Sequence, residues 1–299
     1  MSALLFALPG NDDMTARLAA ALAADVGRLE LRHFPDGEAH LRFADDVAGR
    51  AVILVCALDR PDAKFLALAF AAQTARELGA SGVGLVAPYL AYMRQDRHFE
   101  DGDAVTAPIF AGLISRAFDW LVTVDPHLHR IHHLEQIYEI PARAMHAARL
   151  MAGWIADNVP DAVLVGPDTE SAQWVEAVAR DAGKPFLVLT KIRHGDRDVE
   201  VSLPDVERWR EKTPVLVDDI ISTGRTMAET LGHLADAKMK PATCVGVHAV
   251  FAQGAYDALK AAGAGRIVTA NTIGHASNAI DVSMLLAEGV RSVRSGSNP

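Results

Sequence analysis

The chain has no excess of basic residues, almost no cysteine and no apolar run of membrane-spanning length. Its 29 lysines and arginines are outnumbered by 38 acidic residues, for a formal net charge of −9. Proteins that bind nucleic acid regardless of sequence replace counterions with a basic face. That class is therefore excluded as a broad function, and any phosphate site has to be made basic locally. Two cysteines, Cys56 and Cys244, cannot build a dense disulfide framework, and both sit in apolar, strand-like runs. They read as reduced core thiols. The opening apolar run, Ala3 to Leu8, is too short for a signal-peptide core, has no basic flank and meets a turn at Pro9, Gly10 and Asn11. No segment approaches the roughly 20 apolar residues that a membrane helix needs. A cytoplasmic protein with no membrane partner is expected.

What is present is ordinary globular composition: 299 residues, 50% hydrophobic and 22% charged, enough for two modest domains each with its own core. Apolar strand-like segments at 3–8, 51–58, 83–88, 120–124, 162–166, 186–189, 214–217, 243–250 and 266–270 alternate with Ala-rich helical ones at 14–24, 64–78, 107–117, 146–157, 171–182 and 226–237. That alternation predicts an α/β fold of largely parallel sheets flanked by helices. The two halves also echo each other. Gly84 and Gly246 stand 162 positions apart, and the same offset sets Cys56 and Ala57 against Asp218 and Asp219. A duplicated unit is expected, with domains at 1–145 and 146–279 and the segment 280–299 packing back on the first.

The most specific signal lies at 215–227. Val215, Leu216 and Val217 form an apolar strand that meets Asp218 and Asp219, then Ser222, Thr223, Gly224, Arg225 and Thr226. Carboxylates can accept hydrogen bonds from neighbouring sugar hydroxyls, while side-chain hydroxyls and backbone N–H groups at the mouth of a helix beginning near Thr226 suit a phosphate. An ordinary acidic turn would explain the aspartates alone but not the full order. The segment resembles the 5-phosphoribosyl-1-diphosphate (PRPP) loop of type I phosphoribosyltransferases and PRPP synthetases.

Two further segments separate these families. Phe34, Asp36 and Glu38 occupy an acidic turn, and Arg94, Gln95, Asp96 and Arg97 follow the strand ending near Pro88. Arginine offers planar bidentate donors to phosphate and stacks on adenine. Each segment alone reads as an ordinary surface turn. Together they resemble PRPP synthetases, which carry both at comparable positions, whereas simple phosphoribosyltransferases do not. The resemblance covers nearly the whole chain and implies two tandem phosphoribosyltransferase-like domains. It also implies that Phe34, Asp36, Glu38, Arg94, Gln95, Asp96 and Arg97 surround the adenine and phosphates of ATP. The first turn would come from a neighbouring subunit, so a homo-oligomer is expected.

Four histidines, His127, His129, His132 and His133, fall within seven positions, a density that suggests zinc. No cysteine lies nearby, and the resemblance instead gives His127 a part in holding the Mg2+ of Mg·ATP, directly or through water. It places Asp168 in a second metal and ribose-phosphate loop, which departs from the family form at Glu170, Ser171 and Trp174, where small residues and an arginine are usual. Lys191 and Arg193 match the family's catalytic Lys-x-Arg loop, ahead of a polar stretch from His194 to Val199 that reads as mobile. The implied activity is ribose-phosphate diphosphokinase, with ribose 5-phosphate held by Asp218, Asp219, Ser222, Thr223, Gly224, Arg225 and Thr226. Two alternatives stand beside it: a type I phosphoribosyltransferase consuming PRPP, which leaves the first half without a task, and a nucleotide- or sugar-phosphate-binding regulatory homologue, which the altered 169–174 segment motivates.

Overall fold

The computed structural model describes residues 3–98, 100–128, 130–166, 172–193, 199–202 and 206–296. The chain divides into two compact units, one of residues up to His146 with Thr272–Gly274 and everything from Val282, the other of Ala147–Asn271 with His275–Asp281.

The first unit runs β1 (Leu4–Ala7), α1 (Asp12–Leu22), β2 (Asp25–Gly27), a hairpin of β3 (Leu29–His33) and β4 (Ala39–Phe43), β5 (Ala51–Val55), α2 (Phe65–Glu77), β6 (Gly82–Ala87), α3 (Thr106–Ala117), β7 (Trp120–Val124) and β8 (Ala142–Met145). Its main sheet has the order β2-β1-β5-β6-β7-β8, with every neighbouring pair parallel. Parallel strands covered on both faces have to be apolar on both, and Val52 through Val55 are all buried. At Gly84 the sheet leaves no room for a side chain: a Cβ there would lie 2.0 Å from the Trp120 indole.

The second unit runs α4 (Ala148–Asn158), β9 (Ala162–Gly166), α5 (Ala172–Ala182), β10 (Phe186–Val188), a ribbon of β11 (Thr190–Arg193) and β12 (Val199–Ser202), α6 (Val206–Trp209), β13 (Thr213–Ile220), α7 (Arg225–Asp236), β14 (Thr243–His248), α8 (Ala255–Ala261), β15 (Arg266–Ala270) and β16 (Asn278–Ile280). Its main sheet has the order β10-β9-β13-β14-β15-β16, again parallel throughout. The last helix, α9 (Ser283–Ser295), belongs to the first unit, where it packs on α1, β7 and β8. Gly289 lets it come close; a Cβ there would sit 2.6 Å from Val122 Cγ1.

The two sheets therefore share one strand order, each with an antiparallel two-stranded element inserted after its second strand. The sequence offset of 162 does not carry through two successive strands of each sheet. Ile53 pairs with Gly84 while its counterpart Val215 pairs with Thr243, separations of 31 and 28 residues. The register between these strands therefore differs by three residues in the two units, and one offset cannot match both strand pairs. β13 also outlasts the apolar run at 214–217, because Asp218 and Ile220 still pair with Gly246 and His248 of β14. Among the described residues, no helix is long and apolar enough to cross a membrane.

The β9 and β13 starts are joined by side chains. Thr213 Oγ1 donates to Asp161 at 3.1 Å, and Lys240 Nζ donates to the same carboxylate at 2.8 Å. The Lys240 ammonium, aided by Thr213, holds the Asp161 carboxyl below its ordinary value of 3.8. A lowered carboxylate stabilises the fold above that ordinary value and loses its contribution as pH falls through the folded value. We expect Asp161→Asn to lower the melting temperature near neutral pH and to flatten its decline over about pH 5 to 2. A second expectation concerns glycines. Gly84→Ala should cost about 1–3 kcal/mol through overpacking against Trp120. Gly153→Ala, in the interior of α4 with nothing within 4 Å of its Cβ position, should stabilise by roughly 0.5–1 kcal/mol. Urea unfolding of both variants checks the opposite signs.

Candidate active site

In a parallel α/β sheet, binding groups collect where strands end and helices begin. In the second unit Val215, Leu216 and Val217 are buried, and the chain surfaces at Asp218. Asp218 Oδ1 accepts the N–H of Asp219 at 2.9 Å. The following turn is fixed on both sides: Ile221 N–H donates to His248 O at 3.0 Å, and Ala252 N–H donates to Ser222 O at 3.0 Å. Gly224 caps α7 with φ of 67°, a left-handed conformation that favours glycine. A Cβ there would also press on Leu259 at 3.1 Å. Thr223 Oγ1 accepts the Arg225 N–H at 3.4 Å. Thr223, Arg225 and Thr226 are exposed, while Met227 turns into the core. The result is a polar, hydroxyl-bearing mouth at the N-terminus of a twelve-residue helix, aligned with the positive end of its dipole.

β9 pairs with β13 and β10 with β9, all parallel, so their carboxyl ends open on the same edge. Asp168, like Thr169, Glu170 and Ser171, lies outside the described residues, as does most of the polar stretch after Arg193. Lys191 and Arg193 are on β11, paired in register with Val201 and Val199 of β12.

In the first unit, adjacent strands β6 and β7 deliver two segments to one edge. Tyr92, with φ of 66°, packs its ring 4.8 Å from that of Phe110 and donates its hydroxyl to Asp62. Gln95 Oε1 accepts from Thr106 Oγ1 at 2.5 Å, which ties the turn to the start of α3. The guanidinium-bearing residues Arg94 and Arg97 are exposed. Asp96 is different: its side chain is 8% exposed and faces Arg130. After β7 the chain takes left-handed conformations at Asp125 and His127, with φ of 33° and 56°. Asp125 Oδ1 lies 2.9 Å from His146 Nδ1, and this carboxylate raises the His146 imidazole above the ordinary histidine value.

The Phe34 turn caps the β3–β4 hairpin. Phe34 N–H donates to Glu38 O at 2.9 Å, and Glu38 N–H donates to Asp36 Oδ1 at 3.1 Å. Phe34 is 41% exposed, with the Arg32 guanidinium 4.6 Å over its ring and His40 at its edge. Asp36 and Glu38 are exposed with it. Both thiols are pushed up to about 12 by burial, which removes Cys56 and Cys244 as nucleophiles at neutral pH.

Comparison with known proteins joins these two edges to one family. Residues 3–117 match the N-terminal domain of ribose phosphate pyrophosphokinase, and residues 133–285 match the phosphoribosyl transferase domain. A ribose-phosphate pyrophosphokinase of Methanopyrus kandleri is 31% identical over 279 residues, 93% of this chain and 94% of its own length. The chain belongs to the ribose-phosphate pyrophosphokinase family of enzymes. A second member, from Sulfolobus acidocaldarius, is 32% identical over 263 residues, covering 86% of this chain and 88% of its own. The crystal structure of phosphoribosylpyrophosphate synthetase from Mycobacterium smegmatis superposes with a TM-score of 0.84 at 24% identity, over 99% of this chain and all of that one; it shares the fold.

Arg130 and His146 escaped the sequence reading, since each acts through a partner distant in sequence, Asp96 and Asp125. No local pattern marks such pairs.

Proposed function

We propose that this chain transfers the diphosphate of Mg·ATP to the 1-hydroxyl of ribose 5-phosphate, giving PRPP and AMP. The observation that best supports this is the presence, in one chain, of two sheets of the same order with different polar ends. The second carries the Asp218–Thr226 turn and the first carries the Arg94–Arg97 and His127 segments, a complement suited to two phosphorylated substrates.

In this reading Asp218 and Asp219 accept hydrogen bonds from the ribose hydroxyls. Ser222, Thr223, Gly224, Arg225 and Thr226 hold the 5-phosphate at the α7 N-terminus. Arg94, Gln95 and Arg97 present donors to the nucleotide while Asp96 shapes their turn. Phe34, Asp36 and Glu38, exposed on their own subunit, reach the nucleotide of a neighbour in a homo-oligomer. The sugar's 1-oxygen attacks the β-phosphorus, and the bond from that phosphorus to the oxygen bridging to AMP breaks. Lys191 and Arg193 stabilise the charge that moves onto the bridging oxygen. Positioning and charge neutralisation supply most of the effect, with no covalent intermediate.

Bound Mg2+ would neutralise polyphosphate charge, and the donor set suits it. A hard cation that keeps waters and takes ligands from the nucleotide needs few protein groups. His127, directly or through water, and Asp168 would be the protein's contribution to holding it, with the polyphosphate oxygens supplying the rest. A cytoplasmic location belongs to the same reading, because ATP is its substrate.

The test is to incubate the purified chain with Mg·ATP and ribose 5-phosphate and follow AMP and PRPP by chromatography. Equal, sugar-dependent amounts are expected. Lys191→Ala should lower turnover by roughly 10²–10³, the scale of losing one charge-stabilising group, while calorimetry finds ribose 5-phosphate binding little changed; unaltered turnover would remove the role given to Lys191. Asp219→Asn should instead raise the KM for the sugar, and an effect confined to ATP contradicts its assignment. Binding without any AMP across several pentose phosphates would favour the regulatory homologue.

A further inference from the structure

The loop after β7 is strained and held at both ends. Asp125 and His127 adopt left-handed conformations with φ of 33° and 56°, which cost a non-glycine residue of order 1–3 kcal/mol and persist only where surrounding structure enforces them. At its start, Asp125 N–H donates to Met145 O at 2.9 Å and its carboxylate meets His146. Further on, the hold comes from Asp96. Arg130 offers Asp96 its backbone N–H at 3.3 Å and its Nη1 at 3.4 Å. Asp96 is 8% exposed and the Arg130 side chain 55% exposed, so the carboxylate is the more buried partner and the guanidinium reaches it from the solvent side.

We infer that Arg130 is a positioning residue for the nucleotide: through Asp96 it locks the Arg94–Arg97 turn to the loop that carries His127. This rests on the function proposed above and extends it to a residue that touches neither substrate. Both bonded groups lie on turns at the ends of neighbouring strands β6 and β7, whose spacing is set by the sheet. The turns themselves are not in the sheet, and the Asp96–Arg130 pair spans 34 residues of sequence to join them. Without it, Arg94 and Arg97 keep their charge but lose their alignment with His127. Small misplacements of groups that grip a reacting polyphosphate are costly.

The experiment is steady-state kinetics on the full chain and on Arg130→Ala, Arg130→Lys, Asp96→Asn and the Asp96→Asn/Arg130→Ala double variant, with melting temperatures alongside. Arg130→Ala should raise the KM for Mg·ATP roughly tenfold, the scale of one charge-assisted hydrogen bond. The KM for ribose 5-phosphate should stay within about twofold and the melting temperature should change little. Arg130→Lys should restore most of the loss, and the double variant should be no worse than the worse single one, since both remove the same link. An unchanged KM for Mg·ATP, additive losses, or equal weakening for both substrates with a matching fall in melting temperature would overturn the inference. Should the unmodified chain make no AMP, that failure belongs to the proposed reaction. Calorimetry of Mg·ATP on the same variants then decides: a tenfold weaker Kd in Arg130→Ala supports the role, and an unchanged Kd overturns it.

Discussion

The candidate sugar-phosphate turn depends on the close approach of β13 and β14 at Gly246. A Cβ at that glycine would lie 2.6 Å from Ile221 Cγ1; its absence lets Ile221 sink into the core beside Met227, Leu231 and Leu259. From that anchor the backbone has one course. Ile221 and Ser222 are hydrogen-bonded to His248 and Ala252, at and just after the end of β14, and Gly224 takes the left-handed conformation that starts α7. The polar groups of the turn thus stand on apolar packing beneath them. Preorganisation of this kind lowers the entropy that binding has to overcome.

The same position in the first unit shows what becomes of such a turn when it is closed. After β5, Cys56 and Ala57 replace the two carboxylates. Ala57 N–H donates to Asn11 Oδ1 at 2.7 Å, and Lys64 Nζ donates to Ala57 O at 2.8 Å and to Asp59 at 2.5 Å. Both backbone groups of Ala57 are thus satisfied by side chains of the same unit. Identical strand order therefore produces two different ends: one closed on itself, with its unit's polar residues displaced to the ends of β6 and β7, and one open at the end of β13.

The main sheets were legible because parallel strands buried on both faces leave continuous apolar runs such as Val52 to Val55 and Val163 to Val165. The β3–β4 hairpin was not. Its Leu29, Leu31 and Leu41 alternate with Glu30, Arg32 and Arg42, which are exposed, and the pattern yields no such run; only its acidic turn stood out. The end of β13 was placed too early because Asp218 looks like a strand stop, yet its pairing with Gly246 continues the ladder. Of the candidate site, residues that lie together in sequence, from Asp218 to Thr226 and from Arg94 to Arg97, could be read directly. Arg130 could not, since only the sheet brings it to Asp96, and the three-residue difference in register between the two units is visible only in the strand pairing.

The account turns on two differently equipped strand ends serving one reaction, the intact transfer of a diphosphate. The deciding experiment uses ATP carrying a phosphorus radiolabel at the β position, incubated with ribose 5-phosphate and magnesium, with the products separated by chromatography. The label should appear in the sugar-linked diphosphate with one AMP formed for each. Label retained in ADP, or released as free pyrophosphate, would show transfer of the γ-phosphoryl group alone or hydrolysis and contradict the account.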